Sequence, residues 1–350
     1  MTTKIVTMAH GAGGSMMQSL IKSIIVTRLG GSGVEVPLEA LDDAAVVNDI
    51  VLKTDSHTVK PLFFPGGDIG RLAVSGTVND ICMVGGEPLA LTAGFIIEEG
   101  FPMDDLAKIV DSMADTCREA GVYIVTGDTK VVEKGALDKL VINTSGIGRR
   151  SPLLDRNIEV VKKYRPFNSR WLLDSNLRAG DKIILSGAVG DHGVAVLSSR
   201  EGYGFEGNVC SDVKPLNKVV AKILEVGGVV ALKDPTRGGL ANALNEWCEK
   251  SSVGIVVDEA KIPVHDNVRA ACDMLGIDPY DVGNEGKMIV GVVKEKAEEV
   301  LAALRETPEG REAQIIGEAT NEFREVVLKT KVGGKRIIPP PIGDPVPRIC

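Results

Sequence analysis

Asp68-Ile69-Gly70-Arg71-Leu72-Ala73-Val74-Ser75-Gly76-Thr77-Val78-Asn79-Asp80-Ile81-Cys82-Met83-Val84 decides how this chain folds. Its apolar residues point to nearly every side of a helix instead of one stripe, so the pattern predicts a helix over 68–84 that is buried on most faces. Asn79 and Asp80 interrupt that apolar surface. Before it, the run from Ile50 to Thr54 reads as a strand that delivers Asp55 at its end. After it come a strand at 89–97, a helix from Asp104 to about Ala120, and strands at 122–126 and 139–147. A buried helix among such strands implies a layer packed on one twisted sheet.

The stretch from Arg149 to Arg170 is softer, carrying Pro152, Pro166 and several charges, and the domain boundary is placed there. Strand 182–186 then leads through Gly187 and Gly190 into a helix at 191–200. Apolar helical patterns recur at 213–226, 238–250 and 265–275, and strands are expected at 253–257, 287–293, 314–318 and 325–329. The fold class is therefore α/β (α+β), with two mixed domains at 1–155 and 165–330. From Lys331 the chain carries five prolines and cannot easily join a sheet interior. Residues 331–350 read as an extended tail; at about 3.1 Å per residue its last fifteen residues span on the order of 45 Å, enough to cross a domain face.

With 48 acidic against 40 basic residues the chain has a net charge of −8, which speaks against a nonspecific grip on nucleic acid or an anionic membrane. It has no run of about eighteen apolar residues and no basic-then-apolar leader, so a cytoplasmic protein is expected. Six cysteines lie scattered without CxxC spacing, and reduced thiols are the default. Five of them read as packing residues. Cys350 is the last residue of the chain, where no core can close around it from both sides, and needs another explanation.

Acidic residues recur at strand ends or beside glycine: Asp42-Asp43, Asp55, Asn79-Asp80 and Gly127-Asp128-Thr129-Lys130. Each alone is an ordinary turn residue or helix cap. Gathered in one domain, they suggest hard oxygen ligands around Mg²⁺ and phosphate. The loop His10-Gly11-Ala12-Gly13-Gly14-Ser15 can cradle phosphate on its backbone N–H groups, although it matches no Walker A or GxGxxG pattern and also reads as a mobile N-terminal loop. Lys130 is either a point charge for transferring phosphate oxygens or a solvated lysine. Asp234-Pro235-Thr236-Arg237-Gly238-Gly239 reads as a tight turn into a helix N-terminus. Glu285, between glycines before an apolar strand, is a candidate base. The four histidines lack zinc spacing, and His57, His192 and His265 read as ordinary polar residues.

In this order, the elements HGAGG (10–14), LDDAA (41–45), TDS (54–56), SGTVNDICMVGGEP (75–88), GFIIEEGF (94–101), TGDTKVV (126–132), GDHG (190–193), DPTRGGLA (234–241), VGNEGK (282–287) and PRIC (347–350) resemble the HypE family of hydrogenase maturation factors along essentially the whole chain. Several belong to the wider superfamily of aminoimidazole ribonucleotide synthetase, selenophosphate synthetase and thiamine monophosphate kinase, and support fold and ATP use only. The terminal Pro347-Arg348-Ile349-Cys350 singles out HypE. One departure is Ala12, where serine is common in the glycine loop.

The resemblance implies an N-terminal ATP-binding domain that forms a homodimer through its sheet, with ATP near the dimer interface and a C-terminal domain beside it. It implies Asp43, Asp55, Asp80 and Asp128 as magnesium or phosphate-site residues, with Gly11, Gly13, Gly14 and Asn79 in the nucleotide site. Lys130 and Glu285 would be catalytic helpers and Cys350 the carrier of the substrate group. The implied reaction turns a carbamoyl group on Cys350 into a thiocyanate, the source of the cyanide ligands of the [NiFe]-hydrogenase iron. The implied partners are a HypF carbamoyltransferase and the HypC–HypD complex. Two rivals stand beside this: a small-molecule kinase of the superfamily, and a noncatalytic carrier whose terminal cysteine tethers or senses redox state. The absence of a cysteine before Cys82 speaks against selenophosphate synthesis.

Overall fold

The computed structural model describes residues 5–31, 33–202 and 209–350. An N-terminal arm is helical, with α1 (Ser15–Leu20), a π-helical stretch (Ile21–Val26) and α2 (Thr27–Leu29). Then follow β1 (Ala45–Val47), β2 (Ile50–His57), the two-stranded ribbon β3 (Phe63–Phe64) and β4 (Gly67–Asp68), α3 (Ile69–Met83), β5 (Gly86–Glu98), α4 (Met103–Ala120), β6 (Tyr123–Val132) and β7 (Leu140–Arg150). The first sheet has the order β1-β2-β7-β5-β6, in which only β5 and β6 run parallel.

Helix α3 packs against this sheet, against α4 and against two elements of the second half, Asn217–Val226 and Val229–Lys233. Thirteen of its fifteen residues are buried, which explains why its sequence is apolar on every side. Asp68 caps it, its Oδ1 accepting from the N–H groups of Gly70 at 2.6 Å and Arg71 at 3.0 Å. Close approach to the sheet depends on β7: a Cβ on Gly148 would meet Ile81 Cγ2 at 2.5 Å, and one on Gly146 would meet Ile81 Cδ1 at 2.7 Å. Those glycines leave the space that Ile81 fills.

The second half contains α5 (Pro152–Lys162), β8 (Lys182–Leu185), α6 (Asp191–Glu201), α7 (Asn217–Val226), β9 (Val229–Lys233), α8 (Gly239–Ser251), β10 (Gly254–Asp258), α9 (Asp266–Leu275), β11 (Ile289–Val292), α10 (Ala297–Arg305), β12 (Gln314–Thr320), β13 (Val326–Lys329) and β14 (Lys335–Ile338). Its seven strands are ordered β14-β13-β10-β12-β8-β11-β9, with only β10 and β13 parallel. One connected apolar cluster runs through both sheets. No helix among the described residues is long and apolar enough to cross a membrane.

Four local readings are corrected. The soft stretch after Arg149 holds α5, because Ser151 caps it and Pro152 sits at its first turn, where proline starts a helix. Strand β6 continues past residue 126 to Val132, so Gly127-Asp128-Thr129-Lys130 is extended strand and not a turn. Strand β9 and helix α10 were missed altogether. Residues 335–338, ahead of the prolines, pair with β13 as an edge strand, which requires only one row of backbone donors.

Candidate active site

A cleft of about 480 Å³ opens between the N-terminal arm, β2, α3, the end of β9, α8 and the C-terminus. The period of two along β2 turns Lys53, Asp55 and His57 inward toward α3 while Leu52, Thr54 and Ser56 face out. Helix α3 presents Asp80 to the same space, and β9 delivers Lys233 and Asp234 at its end.

Asp43, Asp80 and Asp234 each bring a carboxylate oxygen within 4.8 Å of the others. Burial pushes all three protons on more tightly. Asp234 rises to about 8, with Asp43 and Glu285 adding repulsion. Asp80 is held well above the carboxylate range by burial and by Asp234, Asp55 and Asp43, against the pull of Lys53. Lys53 bridges Asp80 and Asp55, at 3.1 Å from the latter. Asp55 differs from the rest: burial would raise it, but Lys53, His57 and Arg237 together bring it below its usual value. Three converging, mutually repelling carboxylates fit a hard divalent cation such as Mg²⁺, whose charge would favour their ionised forms.

Behind them, Lys233 Nζ lies 2.8 Å from Asp43, 3.0 Å from Glu246 and 3.1 Å from Asp174. Burial disfavours its charge, yet these three carboxylates hold its pKa well above normal. Asp174 also accepts from Trp247 Nε1 at 2.7 Å and pairs with Lys250 at 2.7 Å, so it braces the rear wall. At the opposite wall, Glu285 Oε1 is buried and has no hydrogen-bond partner among the described residues. Burial, and then the Asp212 charge, raise its pKa well above normal, with Arg237 opposing. The guanidinium of Arg237 enters no hydrogen bond or ion pair among the described residues and lines the same cleft.

Cys350 reaches this cleft, so the tail rests inside. Burial pushes its thiol up to about 12; Arg237 pulls the other way while Glu285, Asp344 and Asp55 reinforce burial. The glycine loop closes over the tail. Gly13 adopts φ 81°, with Arg237 Cβ only 2.6 Å from where its own Cβ would stand, and Ser15 N–H donates to Pro341 O at 3.2 Å.

Of the residues expected from sequence, the cleft gathers Gly13, Asp43, Asp55, Asp80, Glu285 and Cys350. It does not gather the others. Asn79 faces the second half, donating to Lys214 O at 3.1 Å and accepting from Leu216 N at 2.8 Å. Gly14 abuts Pro341, and Gly11 has open space beside it. Asp128 and Lys130 lie on exposed β6 and bond to each other at 3.0 Å. Sequence reasoning passed over Lys53, Lys233, Asp234 and Arg237. Asp234 carried the same strand-end signal as Asp55, but the following turn was read only as a helix start.

Known proteins resemble this chain along most of its length. Residues 41–150 match the N-terminal domain, and residues 178–329 the C-terminal domain, of the AIR synthase related proteins. The chain is 50% identical to a putative hydrogenase expression/formation protein of Methanocaldococcus jannaschii, with 99% of each covered. It is 47% identical to the carbamoyl dehydratase HypE of Azotobacter vinelandii, over 99% of this chain and 97% of that protein. A crystal structure of a HypE–HypF complex superposes with a TM-score of 0.83 at 46% identity, covering 92% of this chain and 100% of that chain. HypE in complex with ATP gives 0.79 at 42% identity, covering 99% and 100%. This chain belongs to the HypE family of carbamoyl dehydratases, on the AIR synthase related fold.

Proposed function

We propose that this protein uses ATP to dehydrate an S-carbamoyl group carried on its own Cys350, yielding a thiocyanate that supplies cyanide to the [NiFe]-hydrogenase iron. One observation carries the reading: the last residue of the chain lies in the cleft that holds the Asp43, Asp80 and Asp234 carboxylates.

The chemistry has two parts. A thiocarbamate does not lose water unaided, because oxide is a poor leaving group. Attack of its carbonyl oxygen on the γ-phosphorus of ATP releases ADP and makes that oxygen part of a phosphate ester. Loss of that phosphate, with the nitrogen's two protons removed over the two parts, leaves S–C≡N. Asp43, Asp80 and Asp234 would hold Mg²⁺, which neutralises phosphate charge when bound. We place Asp55 with Lys53 at the phosphates and Arg237 as a cation facing the reacting group. Glu285, unpartnered at Oε1 and biased by burial toward accepting a proton, is the base.

The homodimer belongs to this proposal. Strand β6 is a sheet edge with Tyr123, Val125 and Val131 each at least 65% exposed, the kind of edge that pairs with a second copy. Such pairing would carry Asp128 and Lys130 of one protomer toward the partner's cleft, giving both residues the role that the family resemblance implies. A HypF-like carbamoyltransferase would load Cys350 and a HypC–HypD complex would accept the cyanide, in the cytoplasm. Kinetics of ATP consumption by loaded protein test the reading: ADP should form in step with loss of water from the carbamoyl group, and Cys350→Ala should abolish both.

A further inference from the structure

The motif Gly190-Asp191-His192-Gly193 stands outside the cleft and takes no part in the chemistry above. We propose that His192 is a positioning residue: its ring holds the peptide carbonyl of Ile349 and so sets the register in which Cys350 enters the cleft. This rests on the functional reading of that cleft.

His192 is fully buried and both ring nitrogens are engaged. Nε2 lies 2.8 Å from Ile349 O, and Nδ1 lies 2.7 Å from Ser211 Oγ. A peptide carbonyl only accepts, so Nε2 must carry a hydrogen. Burial keeps the ring neutral, so Nδ1 accepts the Ser211 hydroxyl proton. Ser211 Oγ in turn accepts from Val213 N–H at 3.1 Å. With the tail docked, the two contacts together define the tautomer that carries its hydrogen on Nε2. The ring orientation is also fixed, by an edge-to-face contact with Phe64 at 5.4 Å between centroids.

The seat beside this hydrogen bond is shaped for the side chain of residue 349. Ile349 is fully buried, and a Cβ on Gly283 would stand 2.3 Å from its Cδ1, so only glycine leaves room. The surrounding contacts read backbone: Thr58 N–H donates to Cys350 O at 3.2 Å, Lys60 N–H to Arg348 O at 3.1 Å, and Arg200 Nη2 to Arg348 O at 3.0 Å. Arg348 itself takes φ 59°, a conformation disfavoured for an arginine, so the docked tail needs specific contacts to hold it. One buried apolar residue and its carbonyl, immediately before the cysteine, supply the register.

The test compares His192→Ala, His192→Gln and Ile349→Ala with wild type in the full-length protein. The glutamine amide can place an N–H where Nε2–H stands. Ile349→Ala changes the tail and no residue of the helices or sheets. Peptide-resolved mass spectrometry follows alkylation of Cys350 by iodoacetamide, ATP binding is measured separately, and water loss is followed after carbamoyl loading. Losing one buried hydrogen bond corresponds to about a tenfold shift in docking. Alkylation of Cys350 should accelerate by about that factor in His192→Ala, and by at least as much in Ile349→Ala, which keeps the carbonyl but loses buried apolar groups, with a fall in dehydration, unchanged ATP binding, and recovery in His192→Gln. Wild-type alkylation rates in both His192→Ala and Ile349→Ala would overturn the proposal, as would failure of a folded, ATP-binding His192→Gln to recover. Absence of dehydration in the wild type would instead sink the functional reading, while the alkylation rates would still decide whether His192 docks the tail.

Discussion

Helix α3 packs on the first sheet and strand β6 forms one edge of it, and the two carry acidic motifs of similar appearance in different surroundings. Asp80 sits on a helix buried on nearly every face, within reach of Lys53 and two further carboxylates. Asp128 sits on an edge strand exposed almost throughout, its one ion-pair partner among the described residues being its neighbour Lys130. An acidic residue becomes part of a site where packing forces it against other charges, since burial makes each charge expensive unless a cation or proton answers it. On an open edge the same residue costs little and does little until a second copy covers it. The difference predicts that the α3 cluster is complete within one chain and the β6 pair is not.

The largest effect expected is from Asp80→Ala, which should lower ATP-dependent dehydration by about 10²–10³-fold, the range for losing one preorganised electrostatic contact. Rates measured on preloaded protein would check this, and a loss under threefold would remove Asp80 from the site. Stability should divide the two regions in the same direction. Ile81→Ala empties the space framed by Gly146 and Gly148 and should cost about 2–5 kcal/mol in urea unfolding. Val131→Ala on β6 should cost no more than about 0.5 kcal/mol in the monomer.

Lys130→Ala sharpens the comparison through mixing. If Lys130 serves the partner's cleft, two inactive variants, Lys130→Ala and Asp80→Ala, should recover about a quarter of wild-type activity when their chains are exchanged at equal amounts. Half of the dimers are then mixed, and each holds one intact cleft. No recovery would mean that Lys130 acts within its own chain, and full activity of Lys130→Ala alone would mean that it takes no part. The smallest effect concerns pH. An ordinary thiol titrates near about 8.5, so its alkylation rate levels off above that pH. Cys350, raised to about 12 by burial, should react faster with every step in pH to 10 without a plateau. A plateau near pH 9 would mean that the tail has left the cleft.

The regions also differ in how openly the sequence announces them. Helix α3 was legible because total burial leaves an apolar pattern that no other element produces at that length, and Asp80 stood out against it. Asp43, Asp55 and Glu285 were legible as carboxylates at strand ends or between glycines. Lys53 and Lys233 were not, because a lysine inside a strand looks the same whether it faces water or three carboxylates; only the sheet's pairing decides. Arg237 was hidden by its turn, whose glycines drew the reading toward helix initiation. The edge status of β6 was invisible because Gly127-Asp128 looks like a turn when the pairing partner, β5, is unknown. The tail's prolines signalled extension but not destination, which depends on Ile349 fitting beside Gly283 and on the carbonyl waiting for His192.

The most direct measurement is intact-mass spectrometry of the full chain after incubation with a HypF-type carbamoyltransferase, carbamoyl phosphate and ATP, with Cys350→Ala alongside. The account predicts a carbamoyl mass on Cys350 that falls by one water as ATP is consumed, and no modification of the variant. A carbamoyl mass that persists on Cys350 with ATP present would contradict it, leaving the chain a carrier whose cleft does other work.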